Sequence, residues 1–593
     1  MNMPIRSALP ALALWLFCSS LACAADREAL TFAELMSEQA ISGPVSNRHF
    51  TAAADAGEAL HVFSGAIRIP EHRMTTIPAA IRPADILGKK TQLFPGIDLT
   101  FASHNGVLIP TERDLLIASD SDSFWQIQVS PGRVWSEEGD NGMSRAAFPF
   151  LLTSIIENES YNGIATFLYD DDSVSMLRYQ VVQQLAPFMI QTRFVAAGQE
   201  PVRFTSLPKR PALVIEFDRE IADRLPWRDW SELEARFGAD LFDEFDAGID
   251  PALTVTSGLV IDGQVYVRSM DTPYGPYPFP REMRHGVWSV AKTAAGLVTL
   301  MRMAQKYGDK VLDYRIRDYV EVTAEHDGWD DVTFRHAMSM ATGVGTGTLE
   351  VEPNVIGSGD ASNPANDAGF GDYMAWYLAP SRTAKLAEVF RTPSYPWGPG
   401  TYARYRDRDI FTLSAALESL YKQREGEDAD LWQMMVDEVY RPIGIHHLSM
   451  TRTRETEGLG TPMLAWGIYV SIDDIAKIAM LIQAGGTHNG EQLLSKAGLA
   501  EALYETGIHG LPTGASNEHG PKTYHLSLWQ EPYITASGKV VHAPRMSGYG
   551  GNIVQLMPNG IIGFRFGNGE DVGLEPMTTI ADRIRPFNQH ERR

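Results

Sequence analysis

The stretch "RHGVWSVAKTAAGLVTLMRMAQKYGD", Arg284 to Asp309, sets a lysine one helical turn after a serine at the head of an apolar run. Ser289 and Lys292 are three residues apart, so on a helix they share a face. Val290, Ala294, Leu297, Met301 and Ala304 follow the spacing of a buried stripe. Gly308 is a natural stop, and Lys306 suits the negative end of the helix dipole. The pattern predicts a long helix, apolar enough to be central. Burial favours the neutral amine, so Lys292 is expected to have a lowered pKa and to serve as a base. Ser289 would sit in the first turn, where free backbone N–H groups and the dipole favour a developing oxyanion. Ser206 and Lys209 repeat the spacing, but Pro208 interrupts them and no apolar helix follows.

The 593 residues exceed one core and suggest several domains. A hydrophobic fraction of 44% with 21% charged residues is an ordinary globular balance. The net charge of −23 repels phosphate backbones and argues against a nucleic-acid partner. Residues 1–24 read as an export signal: Arg6, the apolar "ALPALALWLF", then the small-x-small site Ala22-Cys23-Ala24. No later run reaches the ~18 apolar residues of a membrane span. The expected location is the periplasm or beyond. Both cysteines, Cys18 and Cys23, lie in that signal, so the mature chain would carry no thiol. Lipid attachment at Cys23 is disfavoured by Ser20, three residues before it.

Residues 25–210 alternate short β-like runs, such as "FWQIQV" and "GIATFLY", with turns. They predict a β-rich N-terminal accessory domain of sandwich type, in which no chemistry is visible. Residues 211–593 mix strands and helices. Asp262-Gly263 and Asn559-Gly560 each mark a hairpin. Ser471 and Asp474 form a capping box at the head of "IDDIAKIAMLIQ", which Gly485 and Gly486 end. Strands on both sides of a block of helices predict an α+β domain, an antiparallel sheet flanked by helices.

"SVAKT" on a central helix resembles the Ser-x-x-Lys motif of the penicillin-recognising serine hydrolases, which include class C β-lactamases, D-alanyl-D-alanine carboxypeptidases and related esterases and amidases. The second motif follows in "WGPGTYARYRDRDI". Tyr405 stands at the family's tyrosine position after Pro399-Gly400, and Asp407 replaces the expected asparagine. The third is "PRMSGYGGN", with Ser547 and Gly548 in place but Met546 where the family carries a cation. Lesser matches lie in "VTFRHAMSMATGVG", "VYRPIGIHHLSM" and "WGIYVSIDDIAKIAMLIQAGG". The resemblance spans roughly 211–586. It includes an insertion, "GSGDASNPANDAGFGDYMAWYLAPS", read as a long loop near the mouth of the site.

The resemblance implies acyl transfer through a covalent Ser289 intermediate, with Lys292 and Tyr405 sharing the proton work. It implies an oxyanion held by the backbone N–H groups of Ser289 and Tyr549, and needs neither metal nor cofactor. Met546 cannot grip a carboxylate, and Asp407 would repel one. Arg545 or His542 is a possible substitute, although Arg545 should point away from Met546. A small-molecule ester or amide is therefore the favoured substrate, linear amides included. β-Lactamase or carboxypeptidase activity is the first alternative, and a non-catalytic binding protein of the same fold the second. No Gly-x-Ser-x-Gly elbow supports an α/β-hydrolase. His446-His447 has no metal spacing. The sequence is silent on oligomeric state.

Overall fold

The structure, a computed structural model, describes residues 30–39, 41–81, 85–118, 121–190, 192–345, 367–569 and 575–587. Residues 1–24, where an export signal is expected, lie outside the described residues, and Cys18 and Cys23 with them. So does the first part of the insertion.

The C-terminal half is built on a nine-stranded sheet. Its order is Trp227–Asp229, Gln264–Val267, Thr254–Ile261, Ile562–Gly567, Asn552–Leu556, Val540–Gly548, Leu528–Ile534, Gly520–His525 and Leu511–Asn517. All neighbours pair antiparallel except the short edge strand Trp227–Asp229. Asp262 and Gly263 make the expected two-residue hairpin, both at positive φ (50° and 74°), which matches the twist of the flanking strands.

Alternation along Thr254–Ile261 sends Val260 into one core and Leu259 and Ile261 into another. Trp230, Phe245, Met577 and Ile580 complete the second core, so the helices Trp230–Phe237 and Glu575–Ile584 cover that face. The Ser289 helix and Ile472–Gln483 join the larger core. The capping box at Ser471 and Asp474 forms as expected. The architecture is α+β, an antiparallel sheet with helices packed on it, preceded by a β-rich region.

That β-rich region corrects the sandwich expectation. Its long strands form one 11-stranded sheet rather than two, spanning Ser64 to Ser206 with Thr75–Ile77 at one end, and two short strand pairs, His72–Arg73 with Leu93–Phe94 and Asp85–Ile86 with Lys89–Lys90, stand apart from it. The central strands Ser144–Ser154 and Ser160–Tyr169 are buried at every position. A strand covered on both faces shows no inside–outside alternation, which is why the sequence pattern was ambiguous. One apolar core runs from this sheet into the C-terminal half: Trp125, Tyr161 and Phe194 share it with Val290, Leu297 and Met301.

The described part of the insertion is not a loop. Asp367–Leu378 is helical and brings Tyr373, Trp376 and Tyr377 into buried positions. Among the described residues no helix is long and apolar enough to cross a membrane.

Candidate active site

The backbone presents Ser289 alone. From Met283 to Met301 every residue is buried except Ser289, which is partly exposed. Trp288, just before it, has φ +51°. A bulky residue in the left-handed region costs on the order of 1–3 kcal/mol and persists only where its surroundings impose it. Val290 is the first helical residue, so Ser289 stands in the turn that leads into the helix, at its head. Lys292–Leu297 is then a π-helical turn, an irregularity that often accompanies functional sites.

Lys292 is 1% exposed. Its Nζ donates to Ser289 Oγ at 2.5 Å and to Ala465 O at 3.2 Å, and pairs with Asp407 Oδ1 at 2.5 Å. This overturns the expected lowering of its pKa. Burial does push the ammonium toward neutrality, but the Asp407 carboxylate and then Tyr405 outweigh it, and the net direction is up. Asp407 is the first residue of the helix Asp407–Glu425 and also accepts from Tyr373 Oη at 2.7 Å. Its carboxylate is thus engaged by a cation and a phenol. It does not stand as a bare charge facing substrate, as the sequence suggested.

Tyr405 lies against the same lysine, with Nζ 4.9 Å from the ring centroid. Its ring stacks on Trp529 at 5.7 Å. Burial raises its pKa, Lys292 draws it back, and the net direction is up, so the phenol is neutral at ordinary pH.

The third motif meets the nucleophile through its glycine. A Cβ at Gly548 would lie 2.2 Å from Val287 O and 3.1 Å from Ser289 N, so only glycine lets this strand approach the Ser289 turn. Ser547 is partly exposed beside it. Tyr549 is 52% exposed, and its ring meets Trp288 at 5.4 Å. Met546 is 0% exposed and belongs to the core. Arg545 pairs with Glu531 at 3.1 Å and lies over Trp529, 5.7 Å from the ring centroid. His542 lies 5.8 Å from Tyr504, ring to ring.

The structure therefore brings together Ser289, Lys292, Tyr405 and Asp407, and sets Gly548 against them. It also adds residues that the sequence did not reveal. Phe188, from the N-terminal sheet region, contacts both Trp288 (5.9 Å) and Tyr549 (5.6 Å). Tyr373 comes from the insertion helix. The one signal for an N-terminal contribution was polar: "NESYN" at 158–162 alternates asparagine and serine in a strand otherwise rich in apolar residues.

Among the described residues, no member of the Ser289 cluster belongs to a metal-type group. Among the described residues, Glu518, His519 and Glu575 bring three potential ligand atoms within 4.8 Å of one another, with both glutamates exposed. His446 pairs with Asp223 at 2.7 Å.

No protein-family model matches the chain, and no curated protein matches it in sequence. Solved structures do. A protein described as a 6-aminohexanoate-dimer hydrolase from Bacillus anthracis is similar at 18% identity and a TM-score of 0.41, over 60% of this chain and 83% of that one. A D-stereospecific amidohydrolase from Streptomyces sp. is similar at 15% identity and 0.40, over 59% and 98%. A penicillin-binding protein homologue from Caulobacter crescentus is similar at 15% and 0.38, over 61% and 97%. At these values the likeness concerns fold alone. The chain's own motifs resemble those of the penicillin-recognising serine hydrolases.

Proposed function

We propose that the chain is an exported serine hydrolase that cleaves an ester or amide through an acyl-Ser289 intermediate. One observation carries this reading: the single partly exposed residue of a buried stretch is a serine whose Oγ lies 2.5 Å from a buried lysine. Ser289 Oγ attacks the carbonyl carbon. Its proton passes to Lys292 Nζ while Lys292 passes one to Asp407 Oδ1, 2.5 Å away. The two transfers leave the lysine charged and the carboxylate neutral. Asp407 is then the proton sink that a protonated lysine needs. The backbone N–H groups of Ser289 and Tyr549 hold the oxyanion. Tyr405, a neutral phenol, gives its proton to the leaving group and is refilled from the lysine–aspartate pair. Water then repeats the attack and frees the acid. The export signal in residues 1–24 supports a periplasmic or secreted location.

Met546 carries no charge, and Lys292 and Asp407 offset each other. This supports neutral esters or amides as substrates. A second reading, β-lactamase or carboxypeptidase-like action on carboxylate-bearing substrates, has Arg545 in its favour, since Trp529 beneath it stacks on Tyr405. A matched ester pair, one with a free carboxylate and one methylated, separates the two by kcat/KM. The methylated ester should be the better substrate. Preference for the free carboxylate would favour Arg545 as an anchor and the second reading. A fluorophosphonate that fails to label the chain would leave only a non-catalytic binding protein.

The relay has its own test. In the wild type the lysine stays charged up to alkaline pH, so kcat/KM should be flat across neutral pH. In Asp407→Asn no carboxylate opposes burial, so the lysine pKa falls and its neutral amine becomes the base. Activity should then rise with pH through that lowered pKa, starting about 10²-fold below wild type at pH 7. Superimposable profiles would remove Asp407 from the proton path.

A further inference from the structure

The segment before the nucleophile, Arg284 to Trp288, lies between two partners. On one side His285–Gly286 pairs with Tyr469–Val470 as a short strand. On the other side lie residues 158–162 of the N-terminal region, and there the bonds are made by side chains. Asn162 Nδ2 donates to Arg284 O at 2.9 Å, and Asn162 Oδ1 accepts from Arg284 N at 3.4 Å. Gly286 N donates to Ser160 Oγ at 3.1 Å. Trp288 N donates to Asn158 Oδ1 at 2.6 Å. Three alternate residues of one segment thus hold three alternate residues of the other, and the last rung ends one residue before Ser289. The contact is close: a Cβ at Gly286 would lie 1.8 Å from Asn158 O.

Asn158 is itself rigidly held. It is fully buried, and its Nδ2 donates to Ile468 O at 2.9 Å. Its neighbours Glu157 and Glu159 are fully buried too. Met189 N donates to Glu157 Oε1 at 3.0 Å, Phe188 N donates to Glu159 Oε2 at 3.1 Å, and Tyr377 Oη donates to Glu157 Oε2. Tyr469 Oη donates to Glu157 O at 2.9 Å. The 157–159 segment is therefore clamped to both halves of the chain, and its one free-ranging option, the carboxamide, is fixed at both ends.

We infer that Asn158 is a positioning residue of the active site: by accepting from Trp288 N it imposes the left-handed turn that aims Ser289, so the N-terminal region is part of the catalytic unit and not an appendage to it. The left-handed Trp288 needs an external hold, and Asn158 supplies one directly to its amide. Without that bond the turn relaxes toward ordinary backbone, and Oγ moves relative to Lys292. A displacement near 1 Å is worth about 10²-fold in rate.

The inference rests on Ser289 being the nucleophile, and the experiment keeps the two apart. Full-length wild type, Ser289→Ala, Asn158→Ala and Asn162→Ala are reacted with a fluorophosphonate, reading kinact and KI separately. Asn158→Ala should lose about 10- to 100-fold in kinact with KI unchanged. Asn162→Ala, which removes both bonds to Arg284 two rungs away, should lose less than about threefold. A wild type that is not labelled at Ser289 would overturn the nucleophile itself. Labelling of the wild type at Ser289 with an equal kinact in Asn158→Ala would overturn the positioning role alone. Equal losses in both asparagine variants would reduce Asn158 to a general structural contact. If Asn158→Ala does not fold, Asn158→Ser keeps a polar group there but is too short to reach the amide, and carries the same expectation. Hydrogen exchange on the wild type adds a readout that needs no variant. The Trp288 amide should be strongly protected, and exchange at the rate of an unbonded amide would overturn the proposal.

Discussion

Ser289→Ala should lose at least about 10⁴-fold in kcat/KM and all labelling by a fluorophosphonate, while unfolding within a degree or two of the wild type. Removing the nucleophile of a covalent mechanism abolishes the intermediate, and what remains comes from binding and the oxyanion site. The fold should not notice the change. Ser289 is the one partly exposed residue of its stretch, so no cavity opens. Lys292 keeps its bonds to Ala465 O and Asp407 after the hydroxyl is gone. The measurement is a progress curve beside a thermal melt. A variant that retains a tenth of the activity would mean that another residue attacks.

Lys292→Ala and Tyr405→Phe should each lose about 10³-fold or more, and the double variant should be little worse than the weaker of the two. Groups that move one proton as a unit are strongly non-additive, because losing either breaks the same path. Fully additive losses would show that they do not share it. The two singles should differ in stability. Tyr405→Phe keeps the ring that stacks on Trp529 and loses only a hydroxyl. Lys292→Ala strands Asp407 without its cation. Breaking a buried ion pair from one side costs about 3–5 kcal/mol. Here about 3 kcal/mol is expected, because the Asp407 side chain keeps 17% exposure. Adding Asp407→Asn to Lys292→Ala removes the stranded charge, so it should recover stability and no activity. That split separates the lysine's two duties: partner to a carboxylate and partner to a serine.

Much of this site was legible before any coordinates. Local rules predicted the helix after Ser289, because a stripe of apolar residues at helical spacing has few other solutions. The hairpin at Asp262-Gly263 and the capping box at Ser471 are fixed by residues within a few positions of each other. The glycine of "MSGYGG" could be matched to a motif, although its reason, the close approach to Ser289 N, is a contact between distant segments.

What the sequence determined by itself is therefore the local and the periodic: the helix after Ser289, the Asp262-Gly263 hairpin, the Ser471 capping box, and Ser289 with its lysine one turn on. Tertiary structure alone decided what these residues do electrostatically. Burial by itself argued for a neutral lysine, and only the fold could set Asp407 2.5 Å away and reverse the direction. The same holds for the N-terminal region. Nothing local to Asn158 says that its carboxamide meets the amide of Trp288, 130 positions along the chain. Hydrogen bonds and charges act over a few ångströms of space, whatever the sequence separation, so pKa directions and the aim of the nucleophile emerge only once the chain has folded.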